Sequence, residues 1–176
     1  MFSTILTYFK RTLRILFAVA VGILILRSFI VDPGRVNGKS MEHTFLDSDF
    51  FLVDRITLLL REPARGDVVQ FIDPNSAKPK LVIKRVIGLP GERVKISSDV
   101  VSIIQKDGTS FTLTEPYLDA GTTTKTPTKN TEITTVIPQN TYFMLGDNRD
   151  ESTDSRYYGA VQRSYITGRV IQIVRH

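Results

Sequence analysis

Near the start of the chain the apolar residues are continuous rather than periodic. From Ile15 to Leu26, "ILFAVAVGILIL", no charge interrupts, and with "RSFIV" the block reaches Val31. Seventeen residues of helix span about 25 Å, slightly less than a bilayer core of about 30 Å. Arg14 and Arg27 can snorkel toward opposite interfaces and make up the difference. A cleavable signal peptide has a block of similar length, but the only Ala-x-Ala, Ala18 to Ala20, lies inside the run and not after it. The pattern therefore predicts one transmembrane helix over residues 15–31, retained as an anchor. An uncut signal peptide and a buried core helix are the rival readings. Residues 1–14 are expected in the cytoplasm and residues 32–176 on the outer face.

Beyond the anchor the pattern turns to strands. "FFLVDRI" (50–56), "DVVQFI" (67–72), "KLVIKRVIGL" (80–89), "RVKI" with "VVSII" (93–104), "TSFTL" (109–113), "TEITTVI" (131–137), "TYFML" (141–145) and "YITGRVIQIV" (165–174) are rich in β-branched and aromatic residues. "EPARGD", "GLPGE", "KDG" and "IPQN" separate them as turns, with Asp107-Gly108 the best tight hairpin candidate. No segment of helical period breaks the series. The expected fold is mainly β, antiparallel sheets forming a partly open, barrel-like domain after the single helix. The polar, Thr-rich stretch 119–131 reads as a mobile surface loop.

Composition narrows the chemistry. The chain of 176 residues suits one globular domain plus a tail, and it holds no cysteine, which excludes disulfides, thiolate metal sites and a thiol nucleophile. Neither a metal nor a cofactor is expected. The net charge of +5 resides in the N-terminal segment. Lys10, Arg11, Arg14 and Arg27 are there without an acid, and the remaining 19 basic residues nearly balance 18 acidic ones. Basic residues ahead of an apolar run hold that end in the cytoplasm, and the balanced remainder argues against a nucleic-acid partner.

Three polar stretches carry candidate chemistry. In "NGKSMEHTF" (37–45), Ser40 occupies a Gly-containing turn just after the anchor, where a serine is by default a turn residue. A nucleophilic serine needs a base, and the chain has two histidines, His43 and His176. In an extended segment His43 would point away from Ser40. In "LVIKRVIGLPGERV", Lys84 and Arg85 interrupt a strand that is apolar on both sides, so at least one of them is expected in an apolar setting. Arginine does not lose its proton in a protein, whereas a desolvated lysine does so readily, which makes Lys84 the candidate base. In "YFMLGDNRDESTDSRYYG" (142–159), charges come in apparent pairs, Asp147 with Arg149 and Asp154 with Arg156, while Ser152 and Ser155 can hydrogen-bond an amine. Asp147, Asp150 and Asp154 lack the spacing and the bidentate Glu of a calcium loop.

Taken with the anchor, "GKSMEHTF", "RGDVVQF", "KRVIGLPGERV" and "GDNRDESTDSRYYG" make the chain resemble the bacterial type I signal peptidases along essentially its whole length. That resemblance implies a membrane-anchored serine endopeptidase of the cytoplasmic membrane that removes signal peptides from exported preproteins. It implies Ser40 as nucleophile, Lys84 as general base, Ser152 hydrogen-bonded to the lysine amine, and Asp154 with Arg156 as a bracing salt bridge. The backbone N–H of Ser40 would serve the oxyanion hole. Val36, Gly38 and Ile83 would line pockets for small side chains at the first and third positions before the cut. His43 stands where the family usually has Pro, and Gly38 where some members place a serine whose hydroxyl is a second oxyanion donor. A self-cleaving Ser-Lys protease of the repressor type and a non-catalytic tethered β-domain that binds exported chains are the competing functions.

Overall fold

The computed structural model describes residues 2–128 and 132–174. The chain divides into two compact units, Met1–Asp32 and Pro33–His176. The first holds the helix α1, Phe2–Ile30. Its described side chains expose Phe9, Leu13, Ile15, Leu16, Phe17, Val19 and Ile23. Among the described residues no helix is long and apolar enough to cross a membrane. Val31, assigned from sequence to the anchor, instead opens strand β1, Val31–Arg35. Its Pro33 and Gly34 hid that strand, because neither residue favours one.

The second unit is built on antiparallel strands: β2 (Phe50–Asp54), β3 (Val68–Ile72), β4 (Leu81–Gly88), β5 (Arg93–Ser97), β6 (Val100–Ile104), β7 (Ser110–Thr112), β8 (Ile133–Val136), β9 (Thr141–Leu145), β10 (Val161–Gln162) and β11 (Ile166–Val174). With β1 they form a seven-stranded sheet of order β1-β2-β11-β3-β4-β9-β10 and a four-stranded sheet of order β7-β6-β5-β8. Two single-turn helices, α2 (Thr57–Leu60) and α3 (Ser155–Tyr158), lie in connections that sequence periodicity could not reveal, since four residues are too few to show a period. The tight β5–β6 turn falls at Ser98 and Asp99, both with positive φ as a two-residue hairpin demands. Asp107-Gly108 sits in the longer β6–β7 turn, closed by Gln105 donating to the Thr109 carbonyl.

Strand alternation sorts the core. Val69, Phe71, Val86, Tyr142 and Met144 pack on one face of the large sheet with Leu58. Val68 and Ile83 face the other way, against Val36, Met41, Phe45 and Phe51. Ile87, Phe143 and Leu145 join the small sheet's Val94, Ile96, Val101 and Ile103 in a third cluster. The first two clusters hold the candidate residues in place from opposite faces of β3 and β4. Residues 129–131 of the predicted loop lie outside the described residues. Within its earlier part, Thr124 is buried.

Candidate active site

Residues 36–49 form a loop closed at its neck by two backbone bonds, Val36 donating to the Asp49 carbonyl at 2.8 Å and Ser48 to the Val36 carbonyl at 3.0 Å. Met41 and Phe45 plug it into the core with 1% and 2% of their surface exposed. Between them the backbone turns, Thr44 and Phe45 both donating to the Met41 carbonyl. Ser40 is thereby held at the rim. The segment after it is a turn and not the extended stretch expected from sequence. His43 has φ +86° and its Nδ1 lies 2.7 Å from a carboxylate oxygen of Asp119. It therefore faces the 114–126 segment. Gly38 has φ +106°, a conformation that glycine adopts without strain and a serine there would not.

Lys84 reaches Ser40 because of how β4 is paired. Its partner β3 runs alongside from Leu81 to Arg85, but β9 joins the other edge only from Arg85 onward. Lys84 sits where that edge opens, with 4% of its surface exposed, and its Nζ donates to Ser40 Oγ at 2.5 Å. Burial lowers its pKa from 10.5 to about 8, the carboxylates of Asp154, Asp73 and Asp147 pulling partly the other way. A lysine of that pKa is neutral in about one molecule in five at pH 7.4, against about one in a thousand for a solvated one. Such an amine can accept a proton from a serine hydroxyl it already touches.

The loop after β9 braces this pair. Asp154 and Arg156, each almost wholly buried, form a bidentate ion pair with Nε–Oδ1 at 2.8 Å and Nη2–Oδ2 at 2.9 Å. Asp154 also accepts from the Gly146 backbone at 3.0 Å, and Arg156 donates to the carbonyls of Arg149, Ser152 and Lys125. The pairing of Asp147 with Arg149 read from sequence is not formed. Arg85 lies opposite Leu145 in the β4–β9 register, which sets Asp147, two residues on, beside its guanidinium. Asp147 takes Arg85 Nε at 2.8 Å and Nη2 at 2.5 Å, and Thr44 of the Ser40 turn donates to it as well. Arg149 instead donates to Glu115 and Thr124, and Tyr117 stacks on Arg85 at 3.8 Å. Ser152 is buried, but its hydroxyl has no hydrogen-bond partner among the described residues, so the expected bond to the lysine amine is absent. The amine is directed at Ser40, while the Ser152 hydroxyl packs on Gly146. A Cβ at Gly146 would lie 2.2 Å from Ser152 Oγ and 2.4 Å from the Ser40 carbonyl, so only glycine lets these two approach.

Ser40 opens into a cavity of about 390 Å³ that also holds Val36, Gly38 and Ile83. A larger cavity of about 570 Å³, between Pro63, Pro90 and Lys106, contains none of these residues. Sequence reasoning missed Arg85, Thr44 and Gly146 as parts of the site, although a second cation inside an apolar strand was a signal for Arg85.

The family model described as "Signal peptidase, peptidase S26" matches residues 9–174. The chain belongs to this family. It is a family of serine endopeptidases, and the match spans both the Ser40 turn and the Lys84 strand. A probable signal peptidase I-2 of Synechocystis sp. is 34% identical over 154 residues, 85% of this chain, and the chain spans 64% of that relative's length. A signal peptidase IB of Staphylococcus aureus is 32% identical, with 92% of this chain and 88% of the relative covered. A crystal structure of a signal peptidase I from Enterococcus faecalis V583 is 30% identical, with a TM-score of 0.49, covering 64% of this chain and 98% of that one. At that score the structural likeness carries no weight of its own, and membership rests on the sequence match.

Proposed function

We propose that the chain is a type I signal peptidase, a membrane-anchored serine endopeptidase that cuts signal peptides from exported preproteins. One observation carries the mechanism: a buried lysine whose pKa is lowered to about 8 donates to Ser40 Oγ at 2.5 Å, while His43 faces Asp119. Neutral Lys84 takes the Ser40 proton as Oγ attacks the scissile carbonyl, and the resulting ammonium returns it to the leaving amine. Water then hydrolyses the acyl-enzyme with Lys84 again as base. Among the described residues the backbone N–H of Ser40 donates to no group, which leaves it for the oxyanion. Asp154 with Arg156 positions the loop that meets Ser40 from behind. Ser152, buried against Gly146 with its hydroxyl unbonded among the described residues, is the hydroxyl we assign to orienting the lysine amine.

Small side chains before the cut suit a cavity walled by Val36 and Ile83, and bulkier ones would have to displace strand backbone. The exposed apolar side chains of α1 and its basic flank support a single span with the N-terminus inside, in the cytoplasmic membrane, the catalytic unit outside. The test is incubation of the detergent-purified full chain with a preprotein and sequencing of the new N-terminus. Ser40→Ala and Lys84→Ala should each abolish the cut, and the double variant should be no worse than either, since the two act as a unit. An active Lys84→Ala protein would refute the dyad.

A further inference from the structure

The wall of the cleft contains a polar side chain that the dyad does not use. Gln70 interrupts the apolar run "VVQFI" of β3, is 8% exposed, and lines the same cavity as Ser40. It pairs with Ile83 across β3 and β4, so the two side chains stand side by side on one face. Its amide is held from behind. Between Ile166 and Gly168 the β11 register shifts by one residue against β3, a bulge that pairs Gly168 with Gln70 and leaves Thr167 as the extra residue beside it. The Thr167 hydroxyl bonds both the Gln70 carbonyl, at 3.1 Å, and its side-chain amide, at 3.0 Å. One amide heteroatom is thus engaged, whichever way the amide is turned. The other has no hydrogen bond among the described residues and is not one of the buried unpartnered atoms, so it is open to the water of the cleft that Gln70 lines. A substrate hydroxyl placed against it exchanges a bond to water for one inside the cleft.

We propose that Gln70 is a specificity-determining residue that favours a hydroxyl-bearing side chain at the third position before the cut. This rests on the signal peptidase reading. In an extended substrate the first and third side chains point the same way, about 7 Å apart. The first lies against Ser40 and Gly38, and the third falls over Ile83 and Gln70, where its hydroxyl meets the free amide atom. Threonine and valine have the same shape and differ by that hydroxyl, so they isolate the contact.

The experiment uses the full-length protein in detergent and four peptides that span one cleavage site: Thr or Val at the third position, and Ser or Ala at the first. The parent should cleave the Thr peptide with a kcat/KM about tenfold above the Val peptide, the range of one buried hydrogen bond. Gln70→Leu should remove or invert that ratio while leaving the Ser to Ala ratio at the first position unchanged. Thr167→Val, which frees the amide without removing it, should reduce the preference partway. Should Gln70→Leu fail to fold by circular dichroism, Gln70→Met gives the same readout with a more adaptable side chain. A parent that cleaves all four peptides without a Thr to Val preference, or a preference that survives loss of the amide, overturns the assignment. A change at the first position as large as at the third overturns it too. Cleavage of none of the peptides overturns the peptidase reading itself.

Discussion

Replacing Lys84 by methionine keeps most of the side-chain volume and removes the amine. The folded pKa of about 8 against 10.5 for an ordinary lysine means that protonating Lys84 is harder in the folded chain than in the unfolded one. The difference corresponds to about 3 kcal/mol at neutral pH. Its sign follows from proton counts. Between the two pKa values the unfolded state binds the proton and the folded state does not, so parent stability rises with pH through this window and is flat below about 8. Lys84→Met lacks this dependence. Between pH 7 and pH 10 the parent should therefore gain about 2.5 kcal/mol relative to the variant. Guanidinium titrations of both proteins at the two pH values, read by far-ultraviolet circular dichroism, measure it. The variant should be inactive throughout, and the parent's rate should rise with an apparent pKa near 8. A stability difference that is the same at pH 7 and pH 10 would mean that Lys84 titrates like a solvated lysine, and the base would have to be sought elsewhere.

Gly146→Ala should lower kcat at least tenfold and destabilise by about 1–3 kcal/mol, because its methyl group meets both the Ser40 carbonyl and the Ser152 hydroxyl; activity near the parent's would contradict that packing. Asp147→Ala should cost about 3–5 kcal/mol by leaving the Arg85 guanidinium buried and unpaired, a loss that thermal or denaturant unfolding will show. His43→Ala should keep most of the activity, since its ring faces Asp119, and a hundredfold fall in kcat would reinstate it as a participant.

The strands were readable because antiparallel sheets with one buried face write an alternation into the chain; β9 was located to the residue, Thr141–Leu145. Elements defined by tertiary partners were not. Strand β1 contains Pro33 and Gly34, and its pairing rather than its composition makes it a strand. The hairpin at Ser98 and Asp99 uses two non-glycine residues with positive φ, held by the β5–β6 ladder on both sides. Within the site, sequence order suggested that neighbours pair, and it succeeded for Asp154 with Arg156, where one turn of helix brings them together. It failed for Asp147, whose partner Arg85 comes from a strand 62 residues away. Ser40 and Lys84 were singled out by motif and by what each side chain can chemically do. Their contact depends on the β4 edge remaining open, which no local pattern records.

The network around Arg85 and Asp147 also sets the order in which the molecule fails. It ties the Ser40 turn to β4 and to the loop after β9 mainly through side chains, with one backbone bond from Asn148 to the Ser40 carbonyl, rather than through a continuous ladder. The sheets beneath are held by main-chain bonds and apolar contact, so the network can open while they persist. Activity is then a fuse: on warming, cleavage should disappear below the temperature at which β-sheet signal is lost and return on cooling.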